Sequence, residues 1–531
     1  MKALFTGSLV CNYSDWRRWR SSALLGFLFA IFLLGSCPVS RAQCDSLKSG
    51  DLLWVRLLDP LSSYSCKTGE KIRAMVIDSP KCDGVETITV GTPLEGEIEG
   101  VHRVGMGIVH QTAQLKVDFN RLKAKESEMA VASTVLEIDN ARETVKNGVI
   151  HGVNPTNTPQ GRITSGLRHL PTWNPYADLS LAAYRAAFPV FPEPEIYLPR
   201  GTDIKLRLTA DLRVPEEERG TRPEETANEV DRTVLEITAS DLPERTRTER
   251  GKAADIVNLA LLGTREQMDA AFRAAGWRSS DPTTAKSVLH EFYAFLAFTN
   301  YPQAPVSKQL VDGAEPAAIW QKGLDSYQKR EHLRLWARND VIEGQVVWLG
   351  AMTRETGAGI SVRQHKFIHH IDKDLDGGRE IVVRDLSLAG CVEAAYYVQR
   401  PDAEHLAMNA TGDPMRTDGS LEVLQLKDCE NPVYLRTSDD PPIAIRPHSR
   451  LARYGRMLVM NFKTDMVRGN VLYGTFDLTR MLVRAHRSHS EQMLMARRGE
   501  TKPEPHESAG LHDARVPVSA SFRGPANLDW P

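Results

Sequence analysis

Two segments of this 531-residue chain repeat each other at a distance of 151 residues. Leu47-Lys-Ser-Gly50, followed by Val55-Arg56-Leu57 and Leu61, matches Leu198-Pro-Arg-Gly201, followed by Leu206-Arg207-Leu208 and Leu212. The spacing is too long for a solenoid, whose repeats recur every ~20–50 residues. It suits two similar strands, each entered by a glycine turn, that open and close one barrel or sandwich. The chain between them agrees. LLWVRLL (Leu52–Leu58), KIRAMVI (Lys71–Ile77), EGEIEGV (Glu95–Val101) and AQLKVDFNRL (Ala113–Leu122) are β-rich runs with partial alternation, separated by Gly, Pro, Asp and Ser. Residues 43–213 are therefore read as an all-β domain. Its Asn154–Pro194 stretch is proline-rich, with one short helix expected near Leu179–Ala187. The aromatic residues there read either as packing back on the domain or as a protruding docking arm.

A chain of this length holds more than one domain, since single cores rarely grow past about 250–300 residues. Residues 214–252 are dense in charge and poor in apolar side chains and read as a linker. Residues 253–428 then change pattern. VNLALLG (Val257–Gly263) is a buried strand, and Thr264-Arg-Glu-Gln267 is a capping box for a helix that places Met268, Ala271, Phe272 and Ala275 on one face. A second helix is expected over Ala285–Phe298, burying Val288, Leu289, Phe292, Phe295 and Leu296. Strands follow, so this part is α+β or α/β. Residues 429–498 read as a β-rich appendage (including MLVMNF) with a terminal helix at Leu478–Arg498, and 499–531 as a disordered tail.

The first 42 residues read as a signal peptide. Arg17, Arg18 and Arg20 precede the apolar run Ala23–Leu34, and Ser40-Arg41-Ala42 offers a small-x-small cleavage site. Twelve apolar residues are short of the roughly 20 that a spanning helix needs. The alternatives are an uncleaved anchor, or lipidation at Cys37 through Leu34-Gly35-Ser36-Cys37. Export to the periplasm or cell envelope is the expectation, secreted through the membrane or anchored to it by the N-terminus. Export makes Cys66–Cys82 and Cys391–Cys429 candidate disulfides, with buried free thiols as the alternative. The formal net charge of −2, with both signs interleaved, argues against nucleic acid as a partner. Other envelope proteins are the expected partners, with membrane contact through the N-terminus alone.

Five pieces carry a family resemblance: Val257–Trp277, NYPQAPVS (Asn300–Ser307), HLRLWAR (His332–Arg338), HHIDKDLD (His369–Asp376) and GDPMRTDG (Gly412–Gly419). In this order they resemble the LssY-like C-terminal domain, a bacterial cell-envelope family named after a type I secretion component. The resemblance implies an envelope setting, part of a secretion or envelope assembly, and no particular reaction. The N-terminal β domain is similar in strand pattern to the C-terminal barrel of VirB10/TrbI-type conjugation proteins.

The chain has no G-x-S-x-G, H-E-x-x-H, P-loop or G-x-G-x-x-G. The chemistry-bearing residues concentrate in Arg363–Leu386, RQHKFIHHIDKDLDGGREIVVRDL. If Val362–Ile371 is a strand, His365 and His369 share one face and His370 takes the other. His332 and Arg334 are candidates for a neighbouring strand, facing the same way as Trp336. Asp372, Asp374, Asp376 and Gly377 copy the start of a Ca²⁺ loop, with Val383 where a bidentate glutamate belongs and Glu380 or Asp385 available instead. No cofactor is established; Ca²⁺ or Zn²⁺ are the ions such residues suit. The other reading pins a tight turn between two strands through His369 and Arg379, with REIVVRDL (Arg379–Leu386) as the second strand and Arg384 and Asp385 at its end. Two functions follow: an envelope binding or structural protein, or a metal-assisted hydrolase acting through His369, His370 and Asp372–Asp376.

Overall fold

The structure, a computed structural model, describes residues 46–82, 85–123, 128–140, 142–154, 192–215, 242–324, 329–342, 345–361, 366–400, 403–429 and 444–468, with single residues between 158 and 183 and residue 479. The N-terminal leader with Cys37, most of the proline-rich stretch, linker residues 216–241, His365, all but Thr479 of the helix expected at Leu478–Arg498, and the tail lie outside the described residues.

The N-terminal domain is a nine-stranded sheet in its described part. Its strands are β1 (Leu52–Leu57), β2 (Lys71–Asp78), β3 (Pro93–His102), β4 (Gln114–Lys123), β5 (Glu128–Ala130), β6 (Ser133–Ile138), β7 (Thr144–Lys146), β8 (Val149–His151) and β9 (Asp203–Leu208). They run β6-β9-β1-β2-β3-β4-β8-β7, with β5 on β4. The sheet curls until β6 approaches β4 and β7, giving a nearly closed barrel. Ser133 Oγ donates to the Phe119 carbonyl at 3.0 Å across that seam. Inward residues alternate along each strand: Leu53, Val55 and Leu57 on β1, Ile72, Ala74 and Val76 on β2, Ile204, Leu206 and Leu208 on β9.

The two repeat strands are direct neighbours. β1 and β9 pair antiparallel with Arg56 opposite Asp203 and Leu52 opposite Arg207. Their glycine turns are related by the same local two-fold: Gly50 N donates to Leu208 O and Gly201 N to Leu57 O, each at 2.8 Å. Gly50 (φ +100°) and Gly201 (φ +86°) both take the left-handed backbone that glycine alone adopts without strain. The flanking segments repeat the relation, Ser46–Leu47 pairing with Leu212–Arg213 and Leu61–Ser62 with Tyr197–Leu198.

The second domain is α+β. Its strands are β10 (Leu259–Leu262), β11 (Arg278–Ser279), β12 (Ala318–Gly323), β13 (Arg330–Ile342), β14 (Gln345–Ser361), β15 (Lys366–Ile371), β16 (Val392–Gln399) and β17 (Ser420–Leu426). The order is β11-β12-β13-β14-β10-β17-β16, with β15 on β14. Only β10 and β17 pair in parallel among these described strands. β10 is central and buried on both faces, as its unbroken LALL requires. Helix α1 (Arg265–Ala274) begins at the expected Thr264–Gln267 capping box and packs Met268 and Phe272 on one face of the sheet. Arg245–Arg247, from the stretch read as linker, pairs with Ala253–Ile256.

Three expectations change. Helix α2 (Ala285–Ala297) forms, but Val288, Leu289 and Phe292 are exposed, because only its C-terminal half packs, through Ala294 and Phe295 against Tyr301 and Ala304. REIVVRDL is not a strand: Leu375–Leu388 is helix α3, capped by Asp374, whose Oδ1 accepts from Gly377 N at 3.3 Å. Burial of Ile381, Val382 and Leu386 against the sheet outweighs the strand preference of Ile-Val-Val. MLVMNF lies inside helix α4 (Arg450–Arg468) rather than a strand. That helix returns to the first domain and inserts Met460 into the barrel core.

Candidate functional site

Strand alternation gives the second sheet two polar faces. On β13, Arg330, His332, Arg334 and Trp336 point to one side, while Glu331, Leu333 and Leu335 face α1 and α3. His332 and Arg334 thus share the face of Trp336, as read from the sequence.

The first face is a closed network. Arg330 forks onto Glu355 at 2.8 and 3.1 Å, and His369 Nδ1 lies 3.0 Å from the same carboxylate. His332 Nε2 pairs with Thr353 Oγ1 at 2.7 Å. Burial, with Arg334 beside it, pushes the His332 imidazole down to about 3, so it is neutral. Burial opposes ionisation of Glu355, yet Arg330 and His369 hold it well below the usual carboxylate range. Arg334 Nη1 donates to Asp255 at 3.0 Å, and its remaining donors reach Ser307.

The histidine–aspartate run does not converge. His370, one residue beyond His369, takes the opposite side and meets Asp413 Oδ1 at 2.7 Å. Asp372 Oδ1 accepts from Asp374 N at 3.1 Å, and Asp374 caps α3. Asp376 already belongs to α3 and accepts from Thr417 Oγ1 and Asp418 N, both at 2.8 Å. Glu380 bonds the Tyr397 hydroxyl. A Ca²⁺ loop needs these oxygens around one point; entry into a helix after Asp374 turns them apart. Among the described residues no group of three or more His, Cys, Asp or Glu is disposed to hold a metal ion. Arg379, buried one turn into α3, binds Asp418 at 3.1 Å and Ser420 O at 3.0 Å. It pins α3 to the start of β17, rather than a turn between two strands.

The most concentrated chemistry is on the other face, where the domains meet. Arg56 of β1 forks onto Asp203 of β9 at 2.7 and 2.9 Å and also donates to Asp385 of α3 at 2.7 Å. Asp385 accepts further from Lys322 Nζ at 2.8 Å and Trp277 Nε1 at 3.0 Å. Arg384 lies 3.4 Å from Asp203, Arg354 pairs with Asp139, and Lys329 donates to Asn140 O at 3.1 Å. Burial opposes ionisation of Asp385, but Arg56 and Lys322 hold it well below its ordinary value. Glu331 sits in the same layer with Oε2 buried and unbonded, and burial pushes it up to about 7. Beside the network lies a cleft of about 640 Å³, lined from the barrel by Trp54, Ile77 and Asp78 and from the second domain by Asp372, Arg384 and Tyr397.

Of these groups the sequence singled out Asp385. Arg56 was visible as a repeat residue, but its partner Asp203 breaks the repeat: the equivalent position in β1 is Leu52. Trp277 was visible only as the end of the Val257–Trp277 piece, and Lys322 and Glu331 carried no local signal. Of the cysteines, Cys391 and Cys429 form a disulfide, S–S 2.13 Å. Cys66 is a buried free thiol and makes no bridge to Cys82; its Sγ points into the barrel core and accepts from Ser62 N at 3.3 Å.

Fold and site together define a two-domain, β-rich protein in which a barrel-like domain is locked to an α+β domain by buried ion pairs. Residues 239–421 match the family described as the LssY C-terminus. Among solved structures, ComB10 of the Com Type IV secretion system of Helicobacter pylori is similar at 10% identity, covering 33% of this chain and 96% of that one, with a TM-score of 0.19. No curated protein matches.

Proposed function

We propose that this protein is a binding or structural component of the cell envelope, exported through its N-terminal segment, in which the barrel and the LssY-like domain act as one rigid body. The observation that carries this reading is the placement of Asp385. It is 1% exposed and accepts from Arg56 of the other domain as well as from Lys322 and Trp277. A buried carboxylate that accepts from three donors, Arg56 and Trp277 themselves buried, is set to hold a geometry, not to exchange protons with a substrate. On the opposite face of the second sheet, Arg330 pairs with Glu355, His332 with Thr353 and Arg334 with Asp255. Fixed relative orientation is what a component of a larger assembly requires.

Sedimentation of gently lysed cells carrying the tagged full chain tests this. The expected result is recovery with the envelope, in a particle heavier than one chain. Recovery as a single chain in the cytoplasmic fraction would overturn it.

A further inference from the structure

Helix α4 is held on the barrel by one face and presents another to solvent. Met457 and Met460 are buried, Arg456 Nη2 binds Glu193 at 2.6 and 2.8 Å, and Lys463 Nζ donates to Gly107 O at 2.9 Å and Ile108 O at 2.8 Å. The last contacts lay the loop 104–110 along the helix, with Met106 against Gly455 and Gly107 against Met460. Leu451, Tyr454, Leu458 and Phe462, spaced at three and four residues, form a stripe on the outward side. Leu451 is 80% and Phe462 64% exposed, and Ile108 and Val109 at the loop tip are 69% and 80% exposed. Isolated exposed apolar residues need no explanation, but a stripe and a loop tip held together do.

Charge identifies the occupant. Residues 444–463 and 101–112 contain no Asp or Glu, in a chain whose formal net charge is −2. They contribute Arg446, Arg450 and Arg103, all exposed, and Arg453 at the margin of the stripe. Glu193 and Glu195, the acids beneath the helix, are paired with the buried Arg456. The first acid of α4 is Asp465, in its last turns. Large apolar side chains rimmed by arginine, without acids, match an anionic lipid surface: the apolar groups enter the acyl boundary while the guanidinium groups meet phosphate. We propose that α4 and the loop 104–110 together seat this protein on the surface of an anionic bilayer. This contact is separate from the N-terminal segment and does not depend on the domain interface.

Flotation of the full chain with vesicles of phosphatidylcholine, and of phosphatidylcholine mixed with phosphatidylglycerol, tests the assignment. Wild type and variants share the N-terminal apolar run, so the readout is the difference between them. Leu458→Asp/Phe462→Asp is expected to weaken binding to mixed vesicles by about tenfold or more, as loss of two large apolar contacts dictates. Arg450→Glu/Arg453→Glu is expected to abolish the preference for mixed over neutral vesicles. Should the helix variants melt early, Ile108→Asp/Val109→Asp at the loop tip gives the same readout. Vesicle binding equal to wild type in folded variants would overturn the proposal. So would unchanged vesicle binding together with a shift from oligomer to monomer on gel filtration, which would make the face a contact between copies.

Discussion

Arg56 of β1 and Asp385 of α3 meet at 2.7 Å across the domain boundary, though they lie 329 residues apart in the chain. Both are buried, and removing two charges from water costs several kcal/mol per ion unless the geometry satisfies them fully. Here it does: Arg56 bridges Asp203 and Asp385, and Asp385 accepts three donors. Such a pair confers little stability over an apolar contact. It fixes which surfaces meet, because any other docking leaves a buried charge unpaired.

The internal repeat supplies a matched control. Arg56→Leu removes the forked donor pair on Asp203 and one of the three donors to Asp385 and is expected to cost about 3–5 kcal/mol in urea denaturation. Arg207, its repeat equivalent, is exposed opposite Leu52, so Arg207→Leu is expected to change stability by no more than about 0.5 kcal/mol. Equal effects would show that the buried network does not distinguish the two positions.

This asymmetry also marks what was legible in the sequence. The pairing of β1 with β9 could be read, because Gly50 and Gly201 and the V/L-R-L pattern carry local backbone information. The role of Arg56 could not, since it depends on Asp385 of another domain. The fate of REIVVRDL was misread by propensity, although Leu375, Arg379, Val382 and Leu386 are spaced as a helix face and Asp374 stands three residues before Gly377 as a cap. The aspartate run was legible as a corner and not as a ligand set, because carboxylate directions depend on where the helix begins. The outward face of α2 was beyond periodicity, which shows that a face is apolar but not that anything covers it.

Stability should depend on pH through Glu331. Burial raises its folded-state pKa from 4.5 to about 7, with Lys322 and Arg354 pulling it down and Asp139 and Asp385 pushing it up. Between those values the native state keeps a proton that the unfolded chain has released. Stability therefore falls as pH rises through this window and levels off above about 7. Glu331→Gln is expected to flatten that part of the profile, measured as urea midpoint against pH. An unchanged slope would assign the dependence elsewhere.

The Cys391–Cys429 bridge closes a loop across a sequence separation of 38. By chain entropy such a loop contributes about 4 kcal/mol. Reduction, or Cys391→Ser/Cys429→Ser, is expected to lower the melting temperature of the oxidised protein. Free thiols at both positions in protein from the envelope would contradict the bridge.

Asp374 caps helix α3, accepting from Gly377 N. Asp374→Ala is expected to cost about 1 kcal/mol. Melting of both wild type and variant should be the same in chelator, Ca²⁺ and Zn²⁺. A melting temperature that rises with ion concentration in wild type alone would instead indicate a bound cation.

The central claim is that the two domains form one body through Asp385. Calorimetric melting of the full chain and of Asp385→Ala tests it most directly. Wild type is expected to show the barrel and the LssY-like domain unfolding in one transition. The variant leaves Arg56, Lys322 and the Trp277 indole without their shared acceptor, and the transition should split in two, the earlier falling below the wild-type midpoint. Two independent transitions in wild type, at temperatures unmoved by the substitution, would contradict the account.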